Sequence, residues 1–136
     1  MVWERRTRRP LADRLRRLAR SALAALEIDN VEVSVLIAGD ERLRELNRTF
    51  RARDRATDVL SFPAGDELPD GTTLLGGIAI SLDAARRQAE ELGHDVEREV
   101  EELLLHGLIH LAGHDHERDD GEMNALELEL REKLLS

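Results

Sequence analysis

The sequence contains no cysteine, which excludes disulfide bonds and thiolate metal ligands, so any metal must be bound by nitrogen and oxygen atoms. Aromatic residues are also scarce, with one tryptophan, two phenylalanines and no tyrosine among 136 residues. Base stacking on aromatic rings therefore has few residues available, and we expect Phe50 and Phe62 to belong to the core. Any contact with a nucleic acid should then be mainly electrostatic.

Long apolar segments are missing as well. The longest apolar run, residues 103–113, is interrupted by two histidines and is too short to span a bilayer. The first ten residues, MVWERRTRRP, lack the apolar region of a secretory signal. These features predict one domain over residues 1–136, located in the cytoplasm and without a membrane partner.

The charge of the chain is unevenly distributed. The net charge is −9, yet residues 1–20 contain eight arginines, and a second group lies between positions 42 and 55. A globally acidic chain binds nucleic acid poorly without specificity, but a local basic patch can dock a phosphate backbone. The alternative is that both groups of arginines form solvated helix faces.

The hydrophobic pattern predicts an α+β fold. Apolar residues at helical spacing, with Pro, Asp and Gly at the ends, indicate helices, and β-branched or alternating runs indicate strands. We expect Asp40 to cap the second helix and Pro63 to end the second strand. The predicted helices are 11–26, one from 40, 83–92, 96–112 and 121–135, and the predicted strands are 31–37, 58–63 and 74–82.

The helix predicted at 96–112 is apolar nearly all round, which is typical of a buried central helix. His106 and His110 are four residues apart on it, so both imidazoles project from one face. Gly113 can end the helix and turn the chain, which would let His116 reach the same point. Three histidines and one open position describe a catalytic zinc site, whereas the alternative is a set of ordinary core or surface histidines. His94 is expected in an exposed turn.

Zinc proteases with a related histidine spacing carry a glutamate as general base directly after the first histidine. Here that position is Gly107, which cannot transfer a proton. Asp115 is the nearest candidate for proton transfer or for support of a ligand. His114 is a second candidate, and it could also compete as a metal ligand.

The segment HGLIHLAGHDH (106–116) resembles the signature of the YbeY family, zinc-dependent endoribonucleases of ribosomal RNA maturation. Two upstream blocks are also similar to that family, namely LNRTFRARDRATDVLSFP (46–63) and LLGGIAIS (74–81). Three positions depart from the family pattern, with His114 in place of Tyr, Ile109 in place of Leu and Gly77 in place of Asp. The loss of the Asp at position 77 removes a carboxylate near the sheet.

The resemblance implies a zincin-like fold in which a small mixed β-sheet packs with helices and the metal site lies on the central buried helix. It implies one zinc ion per chain on His106, His110 and His116, and it gives Arg51 a role in catalysis or in binding the substrate phosphate. The implied activity is single-strand-specific endoribonuclease cleavage in 16S rRNA processing and ribosome quality control. The implied partners are ribosomal RNA and the ribosome or its small-subunit proteins, and no DNA is expected.

Two mechanistic routes remain open from the residues, since either water or the 2′-hydroxyl of the RNA could attack the phosphorus. Two other functions also remain as alternatives. One is a ribosome-associated factor whose zinc is mainly structural. The other is a metalloprotease, which the glycine at position 107 makes less favourable.

Overall fold

The computed structural model describes residues 2–3, 9–112 and 122–135. Within this part of the chain, five helices accompany a four-stranded sheet. In chain order the elements are β1 (Val2–Trp3), α1 (Arg9–Ala25), β2 (Val31–Ala38), α2 (Asp40–Arg51), β3 (Val59–Glu67), β4 (Thr73–Ser81), α3 (Leu82–Leu92), α4 (Val96–Leu111) and α5 (Glu122–Leu135). The predicted α+β class is confirmed.

The sheet is mixed, with the strand order β1-β2-β4-β3. Strand β2 pairs in parallel with β1 and β4, while β3 runs antiparallel to β4 and forms one edge. The parallel pair β2–β4 brings Val35 opposite Ile78 and Ile37 opposite Ile80. These four side chains are buried on one face of the sheet and belong to the main core.

Helix α4 is the centre of that core. Its leucines and Ile109 are buried on all sides, as expected from the apolar pattern, because α4 packs against β3, β4, α1, α3 and α5. Two glutamates of α4 are also buried, and each has a partner: Glu99 contacts His94, and Glu101 contacts Arg14. The helix that contains His106 and His110 is therefore fixed by packing along its length.

Most element ends agree with the sequence pattern, and Gly93 ends α3 in the left-handed conformation at φ 71°. Two local predictions are wrong. Strand β3 continues past Pro63 to Glu67, since β3 is an edge strand and its register shifts between Pro63 and Asp66. Asp40 is the first residue of α2, not its cap, and its carboxylate accepts hydrogen bonds from Ser81 and Arg87.

None of the helices in the described part of the chain combines the length and the apolar character that a membrane span requires.

Candidate metal centre

His106 and His110 lie on one face of α4, as their spacing predicts. Their Nε2 atoms are 3.0 Å apart, and the ring centroids are 4.5 Å apart. Both residues are half-buried, whereas the leucines around them are buried. The two imidazoles thus direct the same ring nitrogen towards one partly accessible point.

This arrangement fits a zinc ion. Two nitrogens bound to tetrahedral zinc at about 2.0–2.1 Å lie roughly 3.3 Å apart. The observed separation of 3.0 Å between the two Nε2 atoms differs from that value by an amount that a small ring rotation supplies. His106 and His110 can therefore contribute two nitrogen ligands to one metal without any change in the helix.

Glu127, on α5, holds the ring of His106. Nδ1 of His106 donates to Oε1 of Glu127 at 2.9 Å, and the glutamate is only 8% exposed. The hydrogen bond with His106 holds the pKa of Glu127 below its usual range, and the nearby positive charge of Arg131 acts in the same direction. An ionised Glu127 fixes the proton of His106 on Nδ1 and leaves the lone pair of Nε2 for a metal.

Gly107 has a packing role in α4. A Cβ atom at this position would lie 2.9 Å from Cγ2 and 3.1 Å from Cδ1 of Ile78, which is itself buried on β4. Glycine therefore allows α4 to approach the sheet closely, directly beside His106. A glutamate at position 107 would clash with the sheet. The space that the catalytic glutamate of a zinc protease would need is occupied here by Ile78.

Arg51, the last residue of α2, contacts the edge of the sheet near α4. Its guanidinium donates through Nη2 to the carbonyl oxygen of Ser61 and lies 5.8 Å from the centre of the Phe62 ring. The hydroxyl of Ser61 donates in turn to the carbonyl oxygen of Gly107 at 3.4 Å. Through Ser61, the structure connects Arg51 to the turn of α4 that contains His106.

The loop after Arg51 is held by Asn47, which is buried in α2. Its side-chain amide donates to the carbonyl oxygen of Arg55 at 3.0 Å, and its backbone carbonyl accepts from the amide of Arg53 at 3.2 Å. Ala52 adopts the left-handed conformation at φ 54°, which ends the helix directly after Arg51. These contacts position an exposed, arginine-rich loop beside the end of α2.

A second group of possible ligands lies at the other end of α4. His94, Glu99 and Glu102 place one potential ligand atom each within 4.8 Å of one another, so this group could hold a metal ion. His94 is half-buried and 2.6 Å from Glu99, and the prediction of an exposed turn is wrong because that contact draws the ring towards α4. Arg98 and Arg131 approach Glu102 at 3.5 and 3.4 Å, and both cations balance its charge without a metal.

Three predicted site residues, His114, Asp115 and His116, lie outside the described residues. Three residues that position the candidate site were not predicted from the sequence, namely Asn47, Ser61 and Glu127. Asn47 and Ser61 lie inside the block LNRTFRARDRATDVLSFP, which was a signal for their involvement. Glu127 gave no comparable signal, since its relation to His106 depends on how α5 docks.

An open cleft of about 780 Å³ adjoins Arg51. The residues that line it include Ser34, Leu36, Phe50, Arg51, Phe62 and Gly77. The expectation that Phe50 is a core residue is wrong, because its side chain is 64% exposed. The same cleft is lined by Ser34 and Gly77, which have small side chains or none.

The sequence is similar to proteins of one family. The family model described as Endoribonuclease YbeY matches residues 3–135. Proteins with the same name are 58% identical over 103 residues in Koribacter versatilis and 52% identical over 106 residues in Aquifex aeolicus. These matches cover 76% and 78% of this chain, and 64% and 70% of the respective relatives. The chain thus spans about two thirds of the length of these relatives.

The fold has a counterpart among solved structures. The solution structure of TM1509 from Thermotoga maritima superimposes with a TM-score of 0.69 at 29% identity, covering 98% of this chain and 87% of that protein.

A further relative in sequence, from Solibacter usitatus, is 50% identical over 127 residues, which cover 93% of this chain and 80% of that relative. The chain belongs to the endoribonuclease YbeY family.

Proposed function

We propose that this protein is a zinc-dependent, single-strand-specific endoribonuclease that acts on ribosomal RNA in the cytoplasm. Its substrates would arise in 16S rRNA processing and ribosome quality control, in contact with the ribosome or its small-subunit proteins. Residues 1–136 would form one metal-dependent hydrolase domain with one zinc ion. The observation on which the proposal rests is the convergence of His106 and His110, whose Nε2 atoms are 3.0 Å apart, in a chain of this family.

The proposed ligands are His106, His110 and His116. When bound, the metal supplies Lewis-acid stabilisation of the charge that develops on the phosphoryl oxygens. Glu127 orients His106 from α5. Arg51 binds a nonbridging phosphate oxygen, because a guanidinium has five N–H donors and the contact with Ser61 engages only one nitrogen. Asp115 and His114 are the proposed candidates for proton transfer.

The structure bears on the two alternative functions. Gly107 faces Ile78 closely, which is unfavourable to a protease that needs a glutamate at this position. A mainly structural zinc would be required to hold the fold together. Helix α4 is instead anchored by buried contacts with the sheet and three other helices. Both observations support the nuclease over these alternatives.

The test compares cleavage of ribosomal RNA by zinc-loaded wild-type protein with cleavage by His110→Ala and Arg51→Ala. We expect both variants to lose most of the activity, and we expect a fully paired RNA of the same length to resist the wild type. Zinc content is measured on each sample, since His110→Ala should lower it and Arg51→Ala should not. Equal cleavage by all three proteins would contradict the proposal, because the activity would then come from a contaminant.

Two matched controls separate the site from its surroundings. Arg53→Ala removes an exposed arginine two positions after Arg51 and should retain much more activity than Arg51→Ala. His94→Ala removes a histidine of the second group of possible ligands and should leave both zinc content and cleavage intact. Loss of the metal in His94→Ala, with retention in His110→Ala, would assign the ion to the second group instead.

A further inference from the structure

The cleft beside Arg51 combines features that match a nucleotide. Phe50 and Phe62 contact each other edge to face, with ring centroids 5.4 Å apart, and Phe50 is largely exposed. Exposed aromatic rings are uncommon in this chain, which has three aromatic residues in total. Arg51 lies over Phe62 and lines the same cleft. An apolar ring surface and a cation are thus adjacent in one concave site.

The space in the cleft comes from small residues. A Cβ atom built on Gly77 would have Ser34 O, at 3.7 Å, as its nearest neighbour within 4 Å, so a side chain here would extend into the cleft instead of clashing. The exposed Ser34 pairs with Gly77 across β2 and β4 and offers a hydroxyl at the same place. The volume of about 780 Å³ lies within the range of roughly 300–1,000 Å³ that small-molecule sites take.

The charges around the cleft favour a polyanion as occupant. Arg48, Arg51, Arg53 and Arg55 are exposed on the end of α2 and the loop that follows. Asp54 is paired with Arg44 at 2.8 Å, and this pairing leaves the loop with net positive charge. A protein helix with an apolar face would gain little from these arginines, whereas a nucleotide presents a flat ring and a phosphate together.

We propose that this cleft binds a base of the single-stranded RNA, which stacks on the exposed ring of Phe50, while Phe62 supports that ring edge to face and Arg51 contacts the neighbouring phosphate. The inference rests on the proposed function and deepens it, because it assigns a nucleobase subsite beside Arg51, on the face of the sheet opposite to α4. It also gives a physical reason for selectivity towards single strands. A base in a duplex is stacked on its neighbours and cannot enter the cleft.

The test measures binding, not cleavage, on residues 1–136 treated with chelator. The ligands are a single-stranded RNA hexanucleotide and the same sugar–phosphate backbone without bases. Since the chain has two phenylalanines, labelling with fluorophenylalanine gives one ¹⁹F resonance for each ring. We expect both resonances to shift with the hexanucleotide, and we expect the abasic ligand to bind at least about fivefold more weakly and to leave the resonances in place.

Three variants complete the experiment. Phe50→Ala should weaken binding of the hexanucleotide by about fivefold or more and should not change binding of the abasic ligand. Gly77→Leu, which fills the cleft, should have the same selective effect. Leu92→Ala is the matched control, since Leu92 is 65% exposed on α3 compared with 64% for Phe50, and its affinity for both ligands should equal that of the wild type.

The possible failures are distinguishable. Equal binding of both ligands, or an equal loss in Phe50→Ala for both, would overturn the base subsite and leave an electrostatic RNA-binding nuclease intact. Absence of binding to either ligand would overturn the proposed function as well. Concentration-dependent shifts of the two ¹⁹F resonances without RNA would show that a second copy of the chain occupies the cleft, and would also overturn the inference.

Discussion

Replacement of Glu127 by glutamine tests whether α5 contributes to the proposed metal centre. The substitution keeps the shape of the side chain and an oxygen acceptor, but it removes the negative charge that faces Nδ1 of His106 at 2.9 Å. Loss of a partner of this kind typically weakens metal binding by about 10–100-fold, or roughly 1.4–2.7 kcal/mol. If His106 is a ligand, the affinity for zinc should therefore decrease.

The contacts of Glu127 indicate where in the range of about 10–100-fold the loss of zinc affinity should fall for each substitution. The carboxylate is largely buried, so solvent screens its contact with His106 only in part, and a charge-assisted hydrogen bond is correspondingly strong. Arg131, 3.5 Å from the same oxygen, already neutralises part of the charge. Because glutamine still accepts a hydrogen bond, we expect about a tenfold loss for Glu127→Gln and a loss nearer to 100-fold for Glu127→Ala.

The assay is a competition titration of zinc against a chromophoric chelator, with circular dichroism and thermal melting of the metal-free proteins in parallel. Glu129→Gln is the matched control, because Glu129 is an exposed glutamate on the same helix. An affinity of Glu127→Gln within twofold of the wild type, with an intact fold, would refute the positioning role. A lower melting temperature without any change in zinc affinity would assign Glu127 to stability alone.

Two further predictions concern packing and charge. Gly107→Ala should destabilise the protein by about 1 kcal/mol, since overpacking against Ile78 costs roughly 1–3 kcal/mol and alanine regains only about 1 kcal/mol of helix propensity. In an Ile78→Ala background, Gly107→Ala should instead stabilise the protein. Denaturant unfolding measures both effects, and an identical effect in the two backgrounds would show that the contact with Ile78 is not the cause. The hydrogen bond from Arg44 holds the pKa of Asp54 below its usual range. The pair therefore stabilises the fold fully above about pH 4, the usual pKa of an aspartate. This contribution is lost as the pH falls through the lower pKa that Asp54 has in the folded state. Carboxyl ¹³C titration should show a low midpoint that rises in Arg44→Gln, and an unchanged midpoint would count against the pairing.

The sequence predicted those features that depend on local spacing. His106 and His110 share a face because four residues make about one helical turn, and no tertiary information is needed for that inference. Gly93 likewise ends α3 because a left-handed residue is required there. The strand that contains Pro63 was predicted too short, because its position at the sheet edge, where proline is tolerated, follows only from the strand order.

Features that depend on residues far apart in the sequence could not be predicted from local spacing. Phe50 follows Leu43 and Leu46 at helical spacing, which is typical of a core position. In the fold, however, Phe50 lines an open cleft together with Gly77 and Ser34, and its side chain is 64% exposed. Glu127 is 21 residues from His106, and only the docking of α5 against α4 brings the two together.

The turn of α4 around His106 is fixed from three directions, and this explains how packing and chemistry are coupled here. The sheet contacts Gly107 through Ile78, the edge strand contacts its carbonyl oxygen through Ser61, and α5 contacts His106 through Glu127. Any rotation of α4 that relieved a side chain at position 107 would also move the ring of His106 and strain the hydrogen bond from its Nδ1 to Glu127. A glycine at this position therefore helps to fix the position of the His106 ring, on which the proposed metal site depends.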